Sequence, residues 1–322
     1  MNASNQTLPA LHQSKNSSEV VEIIDGLKKP EKMISPKYFY DERGSQLFDD
    51  ITHLPEYYPT ETELGIMRSN VEEIAQLIGE QASLIEFGSG SSRKTPVLLE
   101  HLHDLAVYVP VDISEDHLLE SADQLRSSFP GLEILPVVAD FTRPFQLPEP
   151  AIMPLRNIVY FPGSTIGNFT HDDALALLRV MHQEAGANGA MLIGVDLQKD
   201  SAIIERAYND SAGLTAEFNL NILRHLNRDY SSNFDLDTFS HDARYNAEKG
   251  RIEIRLINSE DQVVSIGDTD IEILRGEAIL TEYSHKYTLE GFAGMAAEAG
   301  FVVEKVWTDA EELFSVQYCV RQ

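Results

Sequence analysis

From residue 81 onward, short apolar runs alternate with segments of helical period, and this alternation restricts the chain more than any other feature. The runs Leu84-Ile85-Glu86-Phe87, Ala106-Val107-Tyr108-Val109, Ile134-Leu135-Pro136-Val137-Val138, Ile158-Val159-Tyr160-Phe161 and Met191-Leu192-Ile193-Gly194-Val195 each end at a loop. Between them lie candidate helices. Thr170-His171-Asp172-Asp173 is a capping signal, with Ala174, Leu177, Leu178 and Met181 following at helical spacing. Strands separated by helices predict a mostly parallel sheet covered on both faces. The pattern breaks after the fifth run. Residues 199–230 read as helical and 243–286 as antiparallel, with Ile252, Ile254 and Leu256 alternating with a wet face of Glu253 and Arg255. A helix near 289–299 and strands at 301–307 and 314–320 then bring the α/β sheet to seven strands, so an α+β insertion interrupts one α/β domain.

The N-terminal portion is of a different kind. Residues 19–80 read as mainly helical, interrupted at Ser35-Pro36-Lys37 and Leu54-Pro55-Glu56-Tyr57-Tyr58-Pro59. Residues 1–18 are rich in Asn, Gln and Ser, lack the apolar core of a signal peptide, and are expected to form a disordered polar tail. No apolar run approaches the length needed to span a bilayer. With 52 acidic and 25 basic residues, the formal charge is −27. That excess repels phosphates, which argues against nucleic acid or an anionic membrane as the main partner. Cys319 is the one cysteine, so neither an intrachain disulfide nor a cysteine-based zinc site is available. The ten histidines form no metal motif. A cytoplasmic location is expected.

Three strand ends carry chemistry. Gly88-Ser89-Gly90 follows the first run, where glycines permit a tight turn and close approach of a ligand to the backbone. Arg93 stands where a dinucleotide fingerprint wants Gly or Ala, and no Gly-Lys-Ser/Thr ending is present. Asp112 follows the second run, where a carboxylate can accept from both ribose hydroxyls. Asp140 and Phe141 follow the third, offering an acceptor for an adenine amino group and a phenyl to pack on the ring. Together they describe a nucleoside pocket without phosphate machinery, which suits S-adenosylmethionine better than NAD or ATP. After the fourth run, Gly163-Ser164-Thr165-Ile166-Gly167-Asn168 faces the reactive end of such a nucleoside, and Asn168 has both a donor and an acceptor for an amino acid. Glu282 and Ser284 share one face of a strand, where the carboxylate accepts from one imidazole nitrogen and the hydroxyl donates to the other. Tyr40, Tyr57, Tyr58 and Tyr208 either supply phenolic hydroxyls or pack; spacing does not choose between these.

Ser35-Pro36-Lys37-Tyr38-Phe39-Tyr40-Asp41, Leu54-Pro55-Glu56-Tyr57-Tyr58-Pro59-Thr60, Phe87-Gly88-Ser89-Gly90 and Gly163-Ser164-Thr165-Ile166-Gly167-Asn168 closely resemble the histidine Nα-methyltransferases of ergothioneine biosynthesis. Arg206-Ala207-Tyr208-Asn209-Asp210 and Leu280-Thr281-Glu282-Tyr283-Ser284 extend the likeness. The resemblance implies a class I (Rossmann-like) methyltransferase with a mostly parallel seven-stranded sheet, formed by residues 61–198 and 287–322. It also implies an α+β substrate-binding domain of 19–60 and 199–286. The implied activity is trimethylation of the α-amine of L-histidine to hercynine, with S-adenosylmethionine leaving as S-adenosylhomocysteine; the alternative is methylation of another amino acid or small amine. Implied cofactor positions are Gly88, Lys94, Asp112, Asp140 and Phe141. Implied substrate positions are Tyr58, Gly163, Asn168, Tyr208, Glu282 and Ser284, with Tyr40 and Asn168 positioning the amine, no dedicated base, no metal, and a monomeric chain.

Overall fold

The structure, a computed structural model, describes residues 9–90 and 93–322, with side chains from residue 18 onward. In chain order come helix α1 (Pro9–Leu27), strand β1 (Lys32–Met33), helices α2 (Glu42–Thr52) and α3 (Tyr58–Ile78) and strand β2 (Ala82–Phe87). Next are α4 (Thr95–Leu99), β3 (Val107–Asp112), α5 (Glu115–Ser128), β4 (Val137–Val138), β5 (Arg156–Phe161), α6 (His171–Ala185) and β6 (Ala190–Asp196). Helices α7 (Ser201–Tyr208) and α8 (Leu214–Asp229) lead to β7 (Phe239–Asn246), β8 (Arg251–Asn258), β9 (Gln262–Ile266), β10 (Thr269–Ile273) and β11 (Ala278–His285). Helix α9 (Leu289–Glu298) and strands β12 (Phe301–Thr308) and β13 (Phe314–Arg321) follow.

Two compact units divide these elements. One holds the described residues up to Glu56, with Ile204–Asn246 and Ile252–Tyr283; the other holds Tyr57–Ile203, Ala247–Arg251 and Ser284–Gln322. The second unit contains a seven-stranded sheet in the order β12-β13-β6-β5-β2-β3-β4. Strands β2 to β6 pair in parallel, while β13 runs antiparallel to both β6 and β12. This is the class I architecture that the sequence implies. Every residue of β2 is buried, and its side chains alternate between two cores. Ile85 and Phe87 join Val159, Phe161 and the α6 residues Ala174, Leu177, Leu178 and Met181. Leu84 joins Ile158, Tyr160 and the α3 residues Met67, Ile74 and Ile78. Thr170 caps α6 as its sequence indicates, accepting from the Asp173 N–H at 3.3 Å. The chain leaves β2 toward β3 and β4 on one side and returns to β5 on the other. The switch point, where ligands collect in such sheets, is therefore flanked by the loops after β2 and β5.

Three local expectations need correction. The polar tail of residues 1–18 is helical from Pro9; residues 1–8 lie outside the described residues. Pro9 begins the helix, where its missing N–H costs nothing, and extending a helix already nucleated at Ile23 and Leu27, both buried, is far easier than starting one. The third strand shrinks to Val137–Val138 plus a bridge from Ile134 to Tyr108, because Pro136 between them has no N–H for the ladder. In the first unit, β1, β11, β8 and β7 lie side by side in a four-stranded sheet. There Ile252, Ile254 and Leu256 are buried as expected, but Glu253 is buried too, because Arg255 on the same face pairs with it.

Candidate active site

The loop after β2 is shaped by its glycines. Gly88 and Gly90 have φ of +69° and +37°, values that L side chains adopt reluctantly. The Gly88 and Ser89 N–H groups both reach back to the Val111 carbonyl on β3, at 2.8 and 3.3 Å. A methyl group on Gly88 would meet Phe141 Cε1 at 3.4 Å, so the phenyl lies directly over the bare backbone. Phe141 itself packs on Phe87 and Phe161, at centroid distances of 5.6 and 5.8 Å. Asp112 ends β3 and accepts from the Gly90 N–H at 3.2 Å and the Ser114 N–H at 2.9 Å. Asp140 is exposed and accepts from the Thr142 N–H at 3.0 Å. Gly88, Asp112 and Phe141 thus meet at one place, with Asp140 beside Phe141. Ser91 and Ser92 of the same loop lie outside the described residues.

Beneath the loop after β5 is a buried ion pair. Glu63, on α3, is 1% exposed and holds Lys94 Nζ at 2.6 Å. Its carboxylate also accepts the Gly163 N–H, at 3.2 and 2.9 Å to the two oxygens. Gly194 on β6 admits that carboxylate; a methyl group there would lie 2.2 Å from Glu63 Oε1. Gly163 and Ser164 both have positive φ, +82° and +57°. The Ser164 conformation is held by the Asp196 N–H, which donates to Ser164 Oγ at 2.9 Å. Gly167 packs against the backbone of His285, and His285 Nδ1 donates to the Gly167 carbonyl at 2.9 Å. The turn Thr165–Asn168 therefore presents half-buried Asn168 from a fixed frame.

The end of β6 carries a second charged cluster. Asp196, fully buried, accepts from Tyr58 OH at 2.9 Å, Lys199 Nζ at 2.5 Å and Lys286 Nζ at 2.7 Å. Lys199 also donates to Tyr58 OH at 2.8 Å and stands 4.4 Å from the centre of its ring. Lys286 donates to Ser284 Oγ at 2.8 Å. Burial pulls the Lys199 ammonium below the ordinary lysine range, against the opposing pull of Asp196. Tyr58 and Ser284, chosen from sequence as substrate positions, are thus tied to one carboxylate.

In the first unit, a buried amide organises two further candidates. Asn219 on α8 donates to the Arg255 carbonyl at 2.9 Å and to His241 Nδ1 at 3.0 Å, and accepts from Thr281 Oγ1 at 2.7 Å. Thr281 directly precedes Glu282 on β11, while His241 Nε2 donates to the Tyr208 carbonyl at 2.9 Å. Since Nδ1 accepts and Nε2 donates, His241 is the neutral Nε2–H tautomer, and burial lowers its pKa. Tyr208 is 7% exposed at the end of α7. Tyr40 is 37% exposed, with its ring edge-on to Phe48 and Phe218.

Sequence reasoning missed Glu63, Asp196, Lys199 and Lys286. A signal existed for two of them. Asp196 ends its strand as Asp112 ends β3, and Lys286 falls two residues beyond Ser284, at the spacing that keeps a strand residue on one face. Among the described residues, no group of three or more His, Cys, Asp or Glu side chains is arranged to hold a metal ion.

Residues 19–321 match the family model described as histidine-specific methyltransferase, SAM-dependent. The chain is 39% identical to the histidine N-alpha-methyltransferase of Mycolicibacterium smegmatis, covering 92% of each chain. It is 32% identical to ergothioneine biosynthesis protein 1 of Neurospora crassa over 85% of its own length and 31% of that protein. A solved structure that resembles it is the CcbJ methyltransferase from Streptomyces caelestis, with a TM-score of 0.48 and 14% identity over 80% of this chain and 96% of that one.

Proposed function

The chain belongs to the family of histidine-specific, S-adenosylmethionine-dependent methyltransferases, and on that premise we propose that it trimethylates the α-amino group of L-histidine to hercynine in ergothioneine biosynthesis. The observation that carries this reading is near-full-length similarity to a histidine N-alpha-methyltransferase, 39% identical over 92% of each chain. Similarity to an ergothioneine biosynthesis protein supports the biosynthetic setting.

The residues after β2 and β3 fit the cofactor. Ser89 Oγ is buried without a hydrogen-bond partner among the described residues, Gly88 leaves backbone open beneath Phe141, and Asp112 retains acceptor capacity for ribose hydroxyls. In this reading Gly88, Asp112, Asp140 and Phe141 hold the nucleoside. Lys94 supports the methionine end through Glu63 and Gly163. When bound, the cofactor supplies an activated sulfonium methyl group. The protein's task is then alignment of amine, methyl carbon and sulfur for in-line displacement. Asn168 and Tyr40 orient the amine, Tyr58, Gly163 and Tyr208 hold the amino-acid head, and Glu282 and Ser284 recognise the imidazole. The amine must lose a proton before each attack, and no side chain is assigned as a dedicated base. Three transfers exhaust the nitrogen, so the quaternary product ends the cycle.

The enzyme in this reading is a cytoplasmic monomer acting on a small zwitterion. The excess of acidic side chains suits a small zwitterion better than a polyanion as substrate. Incubation with S-adenosylmethionine and each amino acid in turn, read by mass spectrometry, tests the assignment. Trimethylated histidine is expected; methylation of a different amino acid or small amine in its place refutes the substrate.

A further inference from the structure

None of the roles given above uses the ammonium of Lys286, although it is among the most deeply buried charges of the second unit. It sits between Asp196 Oδ2 at 2.7 Å and Ser284 Oγ at 2.8 Å, with its side chain 1% exposed. The Lys286 backbone is clamped as well. Its N–H donates to the Gly250 carbonyl at 2.7 Å, and its carbonyl accepts from Gln198 Nε2 at 3.2 Å. An ammonium has donors and no lone pair, so in its bond to Ser284 the hydroxyl oxygen is the acceptor. A hydroxyl that accepts a charge-assisted hydrogen bond is polarised toward donating its own proton onward.

We infer that Lys286 is a positioning residue that fixes Ser284 as a hydrogen-bond donor and thereby makes the enzyme select the neutral imidazole of its substrate over the imidazolium. The inference rests on the proposed reading of Ser284 as an imidazole partner. A neutral imidazole has one bare nitrogen to accept from Ser284; an imidazolium has two N–H donors and none. Glu282, which in the same reading accepts from the other ring nitrogen, meets an N–H in either form of the ring, so the discrimination lies in the nitrogen that faces Ser284. Asp196 supplies the countercharge that permits a buried ammonium. Around that carboxylate stand Lys199 Nζ at 2.5 Å and Tyr58 OH at 2.9 Å, the Asp309 carboxylate acts on Lys199 through space, and His285 adjoins Lys286 on the chain.

Calorimetric titration of histidine into the full-length protein loaded with S-adenosylhomocysteine, from pH 5 to pH 8, tests this. With the wild type, affinity should fall roughly tenfold per pH unit below the imidazole pKa of about 6.5. Lys286→Met should bind histidine about tenfold more weakly at pH 8, yet lose less on acidification, so the ratio of wild-type to variant affinity closes toward pH 5. A ratio that stays constant across the range, or a wild-type affinity that does not vary with pH, overturns the role of Lys286. The second of these needs no variant to fold. No histidine binding at any pH, or a Ser284→Ala variant with wild-type affinity and pH profile, instead overturns the reading of Ser284 on which the inference stands.

Discussion

Replacing Glu63 with Gln is the sharpest probe of the buried frame beneath the loop after β5. The carboxylate is 1% exposed, holds Lys94 Nζ at 2.6 Å and accepts the Gly163 N–H through both oxygens. Glutamine has the same shape but a single acceptor oxygen and no charge. Either the Lys94 ammonium or the Gly163 amide then faces an N–H₂ group, and the countercharge to a lysine whose side chain is 11% exposed is gone. Removing one partner of a buried ion pair costs about 3–5 kcal/mol, and retention of one oxygen puts Glu63→Gln near the lower end, at about 3 kcal/mol. With a urea slope of about 3 kcal/mol per molar, the unfolding midpoint drops by about 1 M. Because Gly163 and Lys94 flank the loops at the switch point, affinity for S-adenosylhomocysteine should fall in parallel. The double variant Glu63→Leu/Lys94→Met separates the two effects. With both charges removed it should regain most of the lost stability, but the Gly163 N–H still lacks its acceptor and cofactor affinity stays reduced. A loss under about 1 kcal/mol for Glu63→Gln, with unchanged cofactor affinity, refutes the premise that this pair supports the cofactor loop.

Glu282→Ala should weaken histidine binding by about 1–3 kcal/mol, about 5- to 150-fold, while leaving S-adenosylhomocysteine binding intact in calorimetry; equal losses indicate damage to the fold. Stability should decline on mild acidification, since burial lowers the pKa of His241 and His182 in the folded protein. The unfolded chain takes up those protons first, so the contribution is complete above about pH 6.5 and lost as pH falls toward the folded values; urea unfolding from pH 8 to pH 5 should show it, and His241→Gln should flatten the slope. Cys319 is fully buried and its thiol is pushed up to about 12, so the native protein should resist iodoacetamide at pH 8 and react only after unfolding, as read by intact-mass spectrometry. Gly194→Ala should destabilise by about 1–3 kcal/mol in the same denaturation assay, because the methyl group must displace the Glu63 carboxylate from 2.2 Å; a neutral result places the carboxylate elsewhere in solution.

What could be read without coordinates was local. The strand β2 announces itself by a continuous apolar run, α6 by Thr170 and its spacing of apolar residues, and the turn after β2 by two glycines that the backbone needs at positive φ. Each signal lies within a few residues of what it specifies. The strand of Pro136 and the wet face of Glu253 failed for the opposite reason. A missing N–H trims a parallel ladder whose partner is β3, and a carboxylate is drawn inward by an arginine two residues on. In both cases a neighbour outweighed an intrinsic preference.

The buried charges mark the boundary of what sequence reveals. Glu63 reaches Gly163 and Gly194 across 100 and more positions of chain, and Tyr58 reaches Asp196 across 138. No periodicity encodes such pairs, because an acid on a helix reads as solvated until the sheet is built beside it. Yet the cost of burying an unpaired charge means that each must have its partner before the core can close. Gly194, which would otherwise be a weak residue inside a central strand, is therefore explained by a carboxylate on α3, and Ser164 in a left-handed conformation by the backbone of Asp196. The same two strand ends that carry these constraints, β5 and β6, hold Gly163, Asn168, Tyr58 and Ser284 in position. A substitution in the charged frame should for that reason change substrate affinity before it changes secondary structure, and circular dichroism beside calorimetry on Asp196→Asn distinguishes the two.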